Sequence, residues 1–323
     1  MNVRITQIDG SLPNLALMRL AHWHKSQGDY VNVTRQIDPD LFEPRYDRVY
    51  ASTIFSFSEE RYKRFKLQWP DAIVGGTGSG SAITVEDVIG EDYASYDYSG
   101  WPDFDASIGF TQRGCRLKCK FCVVPDKEGK NRSVNTIYDI WRGDGHPKKL
   151  HLLDNDFFGQ ARNDWQARIS EIRDGAFKVC LSQGINVRLI DQEAAEALAT
   201  IQYRNTKFNE RKLYTAWDNL KDEKVFFNGV DTLNNAGIPP KHLMAYMLIG
   251  YDPLETWERI WDRFNKMVAI GIEPYPMVYN SRRKDLKHFQ RWVITGLYRA
   301  VPFDEYTPWV EYNSQLAKSQ RAA

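Results

Sequence analysis

Short apolar segments alternate with helical stretches over the last two thirds of the chain. Six of these segments have the length and composition of strands: 106–110, 149–153, 178–181, 213–216, 243–249 and 276–279. The clearest helical stretch follows Pro253, where Trp257, Ile260 and Phe264 recur on one apolar face. Strands joined through helices pair in parallel by right-handed crossovers. Six such units are too few for an eight-fold barrel, so we expect an α/β fold with a partial (β/α)6 barrel.

The first hundred residues carry the same alternation on a smaller scale. Strand signals lie at 3–8, 49–55 and 72–74, with helical stretches between them, which predicts a small doubly wound sheet. A loop rich in Asp, Tyr and Pro, at about 91–105, marks a boundary. We therefore expect three parts: a truncated doubly wound domain at 1–104, the barrel at 105–300 and a C-terminal extension at 301–323.

Composition excludes several classes of protein. The 323 residues include 43 Lys or Arg against 42 Asp or Glu, and a net charge of +1 gives no whole-chain attraction to nucleic acid or membrane. The opening residues lack the apolar stretch of a signal peptide, and no segment has the roughly 20 apolar residues that span a bilayer. Four cysteines are too few for a disulfide framework at this length. We expect a cytoplasmic protein without a membrane partner.

Three of the four cysteines lie together, directly after the first predicted barrel strand. Segment 114–122 reads GCRLKCKFC, a C-x3-C-x2-C spacing that contains Cys115, Cys119 and Cys122. Three thiolates from one short loop suit three irons of a [4Fe–4S] cluster, which leaves the fourth iron open to a chelating small molecule. One alternative is a zinc site closed by Cys180, His146 or His151. Another is three ordinary buried cysteines.

GCRLKCKFC resembles the motif of the radical S-adenosylmethionine (SAM) superfamily. The residues that follow, Val123-Val124-Pro125, Gly129 and Arg132-Ser133, are similar to those in the branch with a B12-binding domain and in methylthiotransferases. Predicted strand ends resemble the same branch over nearly the whole chain: 153–157, 183–188, 248–252 and 276–280.

This resemblance implies an activity and its cofactors. A [4Fe–4S] cluster would reductively cleave SAM to methionine and a 5′-deoxyadenosyl radical, which would abstract hydrogen from a substrate: RNA, a peptide or a small molecule. The electron would come from a donor such as flavodoxin or ferredoxin. The alternatives are a B12-dependent radical SAM methylase and a non-catalytic Fe–S or zinc module that binds nucleic acid.

The resemblance also implies site residues. The metal ligands would be Cys115, Cys119 and Cys122, and the cofactor-binding residues Phe121, Asp154, Asn155, Asp156, Gln183, Asn186, Arg188, Trp217 and Gly250. Within this set Phe121 would pack near the adenine, and the polar run at 154–156 would contact the SAM amino group. Arg188 would pair with the SAM carboxylate or form a salt bridge at the barrel rim. Trp217 would contact ribose or substrate, and Gly250 would let the backbone approach the adenine.

Two further segments allow a functional and a structural interpretation. The glycine-rich loop at 75–80 resembles part of a cobalamin-binding domain, but the chain lacks a D-x-H-x-x-G motif, so we expect a degenerate domain without bound cobalamin. The basic stretch at 281–292 would contact nucleic-acid phosphates or form a solvated helix face, and the second interpretation is favoured.

Overall fold

The computed structural model describes residues 1–90 and 95–321. The chain folds into two compact units, Met1–Asp105 and Ala106–Ala323. Residues 91–94 of the expected boundary loop, and 322–323 of the expected C-terminal extension, lie outside the described residues. Within the described ranges, no helix is both long and apolar enough to cross a membrane.

The first unit contains a four-stranded parallel sheet in the order β2-β1-β3-β4. Its elements are β1 Asn2–Gln7, α1 Leu15–Ser26, β2 Tyr30–Thr34, β3 Arg48–Ser52, α2 Glu59–Gln68, β4 Ile73–Gly75 and α3 Glu86–Ile89. Helix α1 begins after Asn14, whose side chain accepts hydrogen bonds from the first helical N–H groups. The first strand is internal, with later strands on both sides of it, as in a doubly wound sheet.

The second unit is also an α/β structure. Its strands are β5 Ser107–Gly109, β6 Gln112–Arg113, β7 Arg132–Ser133, β8 Lys149–Leu152, β9 Lys178–Cys180, β10 Gln202–Tyr203, β11 Leu213–Ala216, β12 Leu243–Ile249 and β13 Glu273–Val278. Its helices are α4 Val124–Glu128, α5 Ile137–Ile140, α6 Arg162–Asp174, α7 Gln192–Ala199, α8 Glu223–Asn235, α9 Trp257–Ala269, α10 Lys284–Ile294 and α11 Thr307–Arg321. All six strands expected from the sequence are present.

These strands form two parallel sheets, β10-β9-β8-β5 and β11-β12-β13, and an antiparallel pair, β6-β7. The short strand β10, which the sequence did not predict, occupies the edge beside β9. Between the two parallel sheets, the Ile185 amide donates to the carbonyl of Tyr214 (2.7 Å), and the Tyr246 hydroxyl donates to the carbonyl of Ser182 (2.6 Å). The α/β class is confirmed, whereas a single continuous partial barrel stays a prediction.

Alternate residues of the strands face two different environments. Leu150 and Val179 belong to the apolar core, which the helices share. His151 and Cys180 are directly paired neighbours in β8 and β9 and are also buried, and burial raises the pKa of the Cys180 thiol to about 12. Cys180 is therefore a buried thiol at the last position of β9.

The C-terminal segment is part of the second unit. Phe303 and Tyr306 are buried in its apolar core, and Trp309 packs against that core. The described part of the C-terminal extension expected at 301–323 completes this core, because its aromatic side chains pack on α9 and α10.

Candidate functional site

The cysteine loop, residues 114–122, leaves the short β6–β7 pair through a glycine. Gly114 has φ +79°, and a Cβ there would lie 2.5 Å from the carbonyl oxygen of Lys130. The buried side chain of Gln112 donates to the carbonyls of Arg113 and Gly114, both at 2.7 Å. Local hydrogen bonds and the absence of a side chain at residue 114 therefore fix the start of the loop.

The three cysteines of the loop are half-buried free thiols. The amide of Leu117 donates to Cys115 Sγ (3.4 Å), and the amide of Cys122 donates to the carbonyl of Cys119 (3.0 Å). Burial, together with the neighbouring thiols, raises the pKa of Cys115 and of Cys122. A bound cation would reverse this preference, because a metal selects the thiolate.

In the ranges 1–90 and 95–321, no three His, Cys, Asp or Glu side chains converge closely enough to hold one metal ion. A four-iron cluster does not require three side chains around one ion, since each cysteine binds its own iron. The donor set suits such a cluster: three half-buried thiols on one short loop, held by backbone hydrogen bonds.

Asp156 attaches this loop to the end of β8. Its buried carboxylate accepts hydrogen bonds from Arg116 Nε (2.7 Å), Arg116 Nη2 (2.9 Å) and the Arg116 backbone amide (3.1 Å). Arg116 directly follows the first cysteine, so this bidentate pair fixes the loop over the carboxyl end of the strand. The structure gives Asp156 the role of a loop anchor, where the sequence suggested contact with the cofactor.

Asp154 also has a structural role. It is 2% exposed, and its carboxylate accepts from the amides of Thr111 (2.7 Å) and Gln112 (3.1 Å) and from the Thr111 hydroxyl. Burial raises its pKa to about 7 against the opposing effect of these donors. All of these contacts hold the β5–β6 connection, and the expected contact of the 154–156 run with a cofactor stays a prediction.

Asn155, between the two aspartates, is half-buried. Its amide donates to Glu128 Oε2 (2.8 Å), which also accepts from the Gly114 amide (3.0 Å). Of the residues expected after β9, Gln183 is exposed and Asn186 is half-buried. These three residues keep polar groups at the carboxyl ends of β8 and β9, as the sequence predicts.

Arg188 connects the region after β9 to the cysteine loop. Its Nη1 donates to Asp222 Oδ2 (2.8 Å), and its Nη2 lies 4.0 Å from Cys119 Sγ. The salt bridge expected as the alternative role is present, and it aims the other side of the guanidinium at the second cysteine. A carboxylate bound beside Cys119 would therefore meet this cation.

Trp217 lies in the apolar core. Its side chain is 0% exposed, stacks on Phe226 (ring centroids 5.1 Å apart) and packs edge-on against Phe227 (5.2 Å), while its indole N–H donates to the carbonyl of Asn219 (2.8 Å). Helix α8 covers the ring, and the carbonyl of Asn219 pairs with its N–H group, while the expected contact with ribose or substrate stays a prediction.

Gly250 ends β12 in the left-handed conformation, with φ +76°. A Cβ at this position would lie 2.7 Å from Leu286 Cδ1, and the amide donates to Glu255 Oε2 (2.5 Å). The glycine is thus required for the turn itself. Its expected approach to an adenine stays a prediction.

Three aromatic rings form a row across the carboxyl ends of the strands, and we call Phe121, Tyr251 and Tyr279 the aromatic row. The Phe121 ring, in the cysteine loop, contacts Tyr251 after β12 edge-on (centroids 5.4 Å apart). Tyr251 contacts Tyr279, after β13, in the same manner (4.9 Å). The sequence suggested Phe121 but missed Tyr251, since a tyrosine after a strand and turn carries no distinctive pattern.

A buried charged network supports the same end of β12. Arg263 is 1% exposed, donates to the carbonyls of Trp217 (3.0 Å) and Leu248 (3.1 Å), and forms an ion pair with Glu255. Asp218 accepts from the Leu248 amide (2.9 Å), and burial raises the pKa of this carboxyl. Sequence reasoning missed Arg263, because a lone arginine on an amphipathic helix is indistinguishable from a solvated one.

Comparison of this chain with protein-family models, curated proteins and solved structures found no match.

Proposed function

We propose that the protein is a radical SAM enzyme. Its second unit would be a partial (β/α)6 barrel, with Cys115, Cys119 and Cys122 holding a [4Fe–4S] cluster. When bound, the reduced cluster would supply the electron that cleaves SAM to methionine and a 5′-deoxyadenosyl radical, which abstracts hydrogen from a substrate.

One observation carries the proposal: the cysteine loop meets the carboxyl ends of several parallel strands. Arg116 binds Asp156 after β8, Arg188 approaches Cys119 from the segment after β9, and Phe121 contacts Tyr251 after β12. Parallel α/β proteins bind ligands at this edge of the sheet. A three-cysteine loop at that edge fits a cluster that serves a bound molecule better than a purely structural metal.

The surrounding residues supply the binding functions. Arg188 offers a cation to the carboxylate of SAM, and Asp222 keeps its guanidinium in place. Asn155 and Asn186 are half-buried after β8 and β9 and add polar groups to this edge. Phe121 and Tyr251 form an apolar wall that would exclude water from a reactive ligand.

The test is formation of 5′-deoxyadenosine. The full chain is reconstituted anaerobically with iron and sulfide, reduced with dithionite, supplied with SAM and analysed by liquid chromatography with mass spectrometry. We expect product from the wild type and from Cys180→Ala, whose cysteine is outside the loop, and none from Cys119→Ala.

Equal product from Cys119→Ala and wild type would contradict the cluster assignment. About one zinc per chain without sulfide, together with no product, would instead support a closed zinc module.

A further inference from the structure

Basic residues concentrate in two segments of the second unit. Segment 113–132, which contains the cysteine loop, has seven Lys or Arg against two Asp or Glu. Segment 281–292 has five against one. The whole chain has a net charge of only +1, so the rest of the chain is net acidic. The excess of basic over acidic residues is therefore found in these two segments.

The aromatic row places the two basic segments at the same edge. Phe121 belongs to the first segment, and Tyr279 lies two positions before the start of the second. Both rings contact Tyr251, at centroid distances of 5.4 and 4.9 Å. Positive charge therefore lies at both ends of a line of three rings.

The outer part of this edge is open to solvent. Tyr279 is 57% exposed. Lys118 and Lys120 of the cysteine loop, and Arg282 and Lys284 of the second segment, are exposed residues as well. Some acidic side chains at this edge already form ion pairs with arginines of the two basic segments.

The one acidic residue of the second segment is already neutralised locally. Asp285 forms an ion pair with Arg283 (2.6 Å), so it offsets a neighbour in its own segment. Asp252, beside Tyr251, is exposed and is the nearest acidic residue in sequence to the row. Counted together, the two segments have 12 Lys or Arg against 3 Asp or Glu, a net charge of +9.

One exposed ring, two half-buried rings and flanking cations together suit one ligand chemistry. Single-stranded nucleic acids offer flat bases that stack on aromatic side chains, and phosphates that bind Lys and Arg. An acidic peptide would use the cations but not the rings, and a duplex keeps its bases stacked inside. The combination favours an unpaired polynucleotide.

We propose that this edge binds a single-stranded nucleic acid, with bases on Tyr279 and Tyr251 and phosphates on the flanking lysines and arginines. That the bound strand is the substrate rests on the proposed function, because the radical would form at the same edge. The solvated-helix interpretation of 281–292 is the competing one.

Stacking is tested with fluorescence anisotropy of labelled oligonucleotides of about 12 nucleotides, a length within the range of single-strand binding sites. The full chain is titrated with single-stranded RNA, single-stranded DNA and a duplex of the same sequence. We expect Tyr279→Ala to weaken single-strand binding by about tenfold. Tyr279→Phe, which keeps the ring, should bind as wild type does.

Tyr30→Ala is the matched control, since Tyr30 is a similarly exposed tyrosine (61%) in the first unit. For the charges, Arg282→Gln combined with Lys284→Gln should lower the slope of log K against log salt by about 1.4, or about 0.7 per lost phosphate contact. Arg61→Gln combined with Lys63→Gln removes two exposed charges from the first unit and should leave the slope unchanged.

Preference for RNA or for DNA would support the proposal and identify the strand. Equal binding of duplex and single strand, or equal affinities for Tyr279→Ala, Tyr279→Phe and wild type, would overturn it. Formation of 5′-deoxyadenosine without oligonucleotide is measured in parallel. A chain that cleaves SAM but binds no single strand refutes this inference alone, and one that binds the strand but yields no product with its cluster intact refutes the proposed function.

Discussion

Asp156→Asn tests whether a buried carboxylate holds the cysteine loop. Asp156 is 0% exposed and accepts three hydrogen bonds, all from Arg116. Asparagine has nearly the same volume, so no cavity forms. However, the amide is uncharged and turns one N–H group towards the guanidinium donors, which breaks the bidentate pair.

The cost follows from these contacts. A hydrogen bond to a charged group contributes about 1.5–3 kcal/mol. The Arg116 side chain is 36% exposed, so water recovers part of its interaction in the variant. We therefore expect a loss of about 2–3 kcal/mol in the free energy of unfolding. For a unit of about 200 residues this corresponds to a fall of roughly 4–12 °C in Tm.

Two assays measure the effect. Thermal unfolding by circular dichroism gives Tm, and iron and sulfide analysis after reconstitution reports whether the loop still retains a cluster. Asp126→Asn is the control, since it removes an exposed carboxylate from α4 directly after the loop. A Tm within about 1 °C of wild type, with unchanged iron content, would refute the anchoring role.

Two further substitutions test a buried carboxyl group and a close backbone contact in the second unit. Because the pKa of Asp154 is raised to about 7 in the folded state, folding favours the protonated carboxyl group. The contribution of this group to the free energy of unfolding is therefore complete below its unfolded pKa of about 3.9, and it is lost as the pH rises through about 7. The free energy of unfolding of the wild type relative to Asp154→Asn should fall by about 4 kcal/mol between pH 4 and 8 in urea titrations, and a constant difference would contradict this. Gly229→Ala places a Cβ 2.0 Å from the carbonyl oxygen of Val187, so unfolding should become easier by about 1–3 kcal/mol. Asn228→Ala, exposed on the same helix, is its control, and equal stability of the two variants would contradict the close packing.

The sequence predicted the long or apolar strands and missed the short polar ones. β12 has seven consecutive apolar residues and was predicted at its observed bounds. β2 and β10 lie at sheet edges and bury less surface, so their sequences contain weak hydrophobic patterns. The β6–β7 pair has two residues in each strand, below the length at which alternation is recognisable.

Within the site, the sequence predicted the region better than the role of each residue. The run at 154–156 follows an apolar strand, which correctly indicates that its side chains lie at the carboxyl edge. Yet Asp154 holds one loop, Asn155 binds Glu128, and Asp156 anchors another loop. These roles depend on which hydrogen-bond partners the tertiary fold brings to each side chain, and adjacent positions in a sequence do not encode that.

Trp217 illustrates the same limit for an apolar residue. A tryptophan directly after a strand fits a ligand contact and a core position equally well. Here α8 decides the outcome, since its Phe226 stacks on the ring and its Phe227 packs edge-on against it.

The central claim is that the three cysteines hold a cluster with one iron open to SAM. The most direct measurement is electron paramagnetic resonance of the reconstituted, dithionite-reduced protein before and after addition of SAM. We predict a cluster signal whose g values shift at saturating SAM, because chelation changes the surroundings of one iron. An identical spectrum with and without SAM would contradict the account.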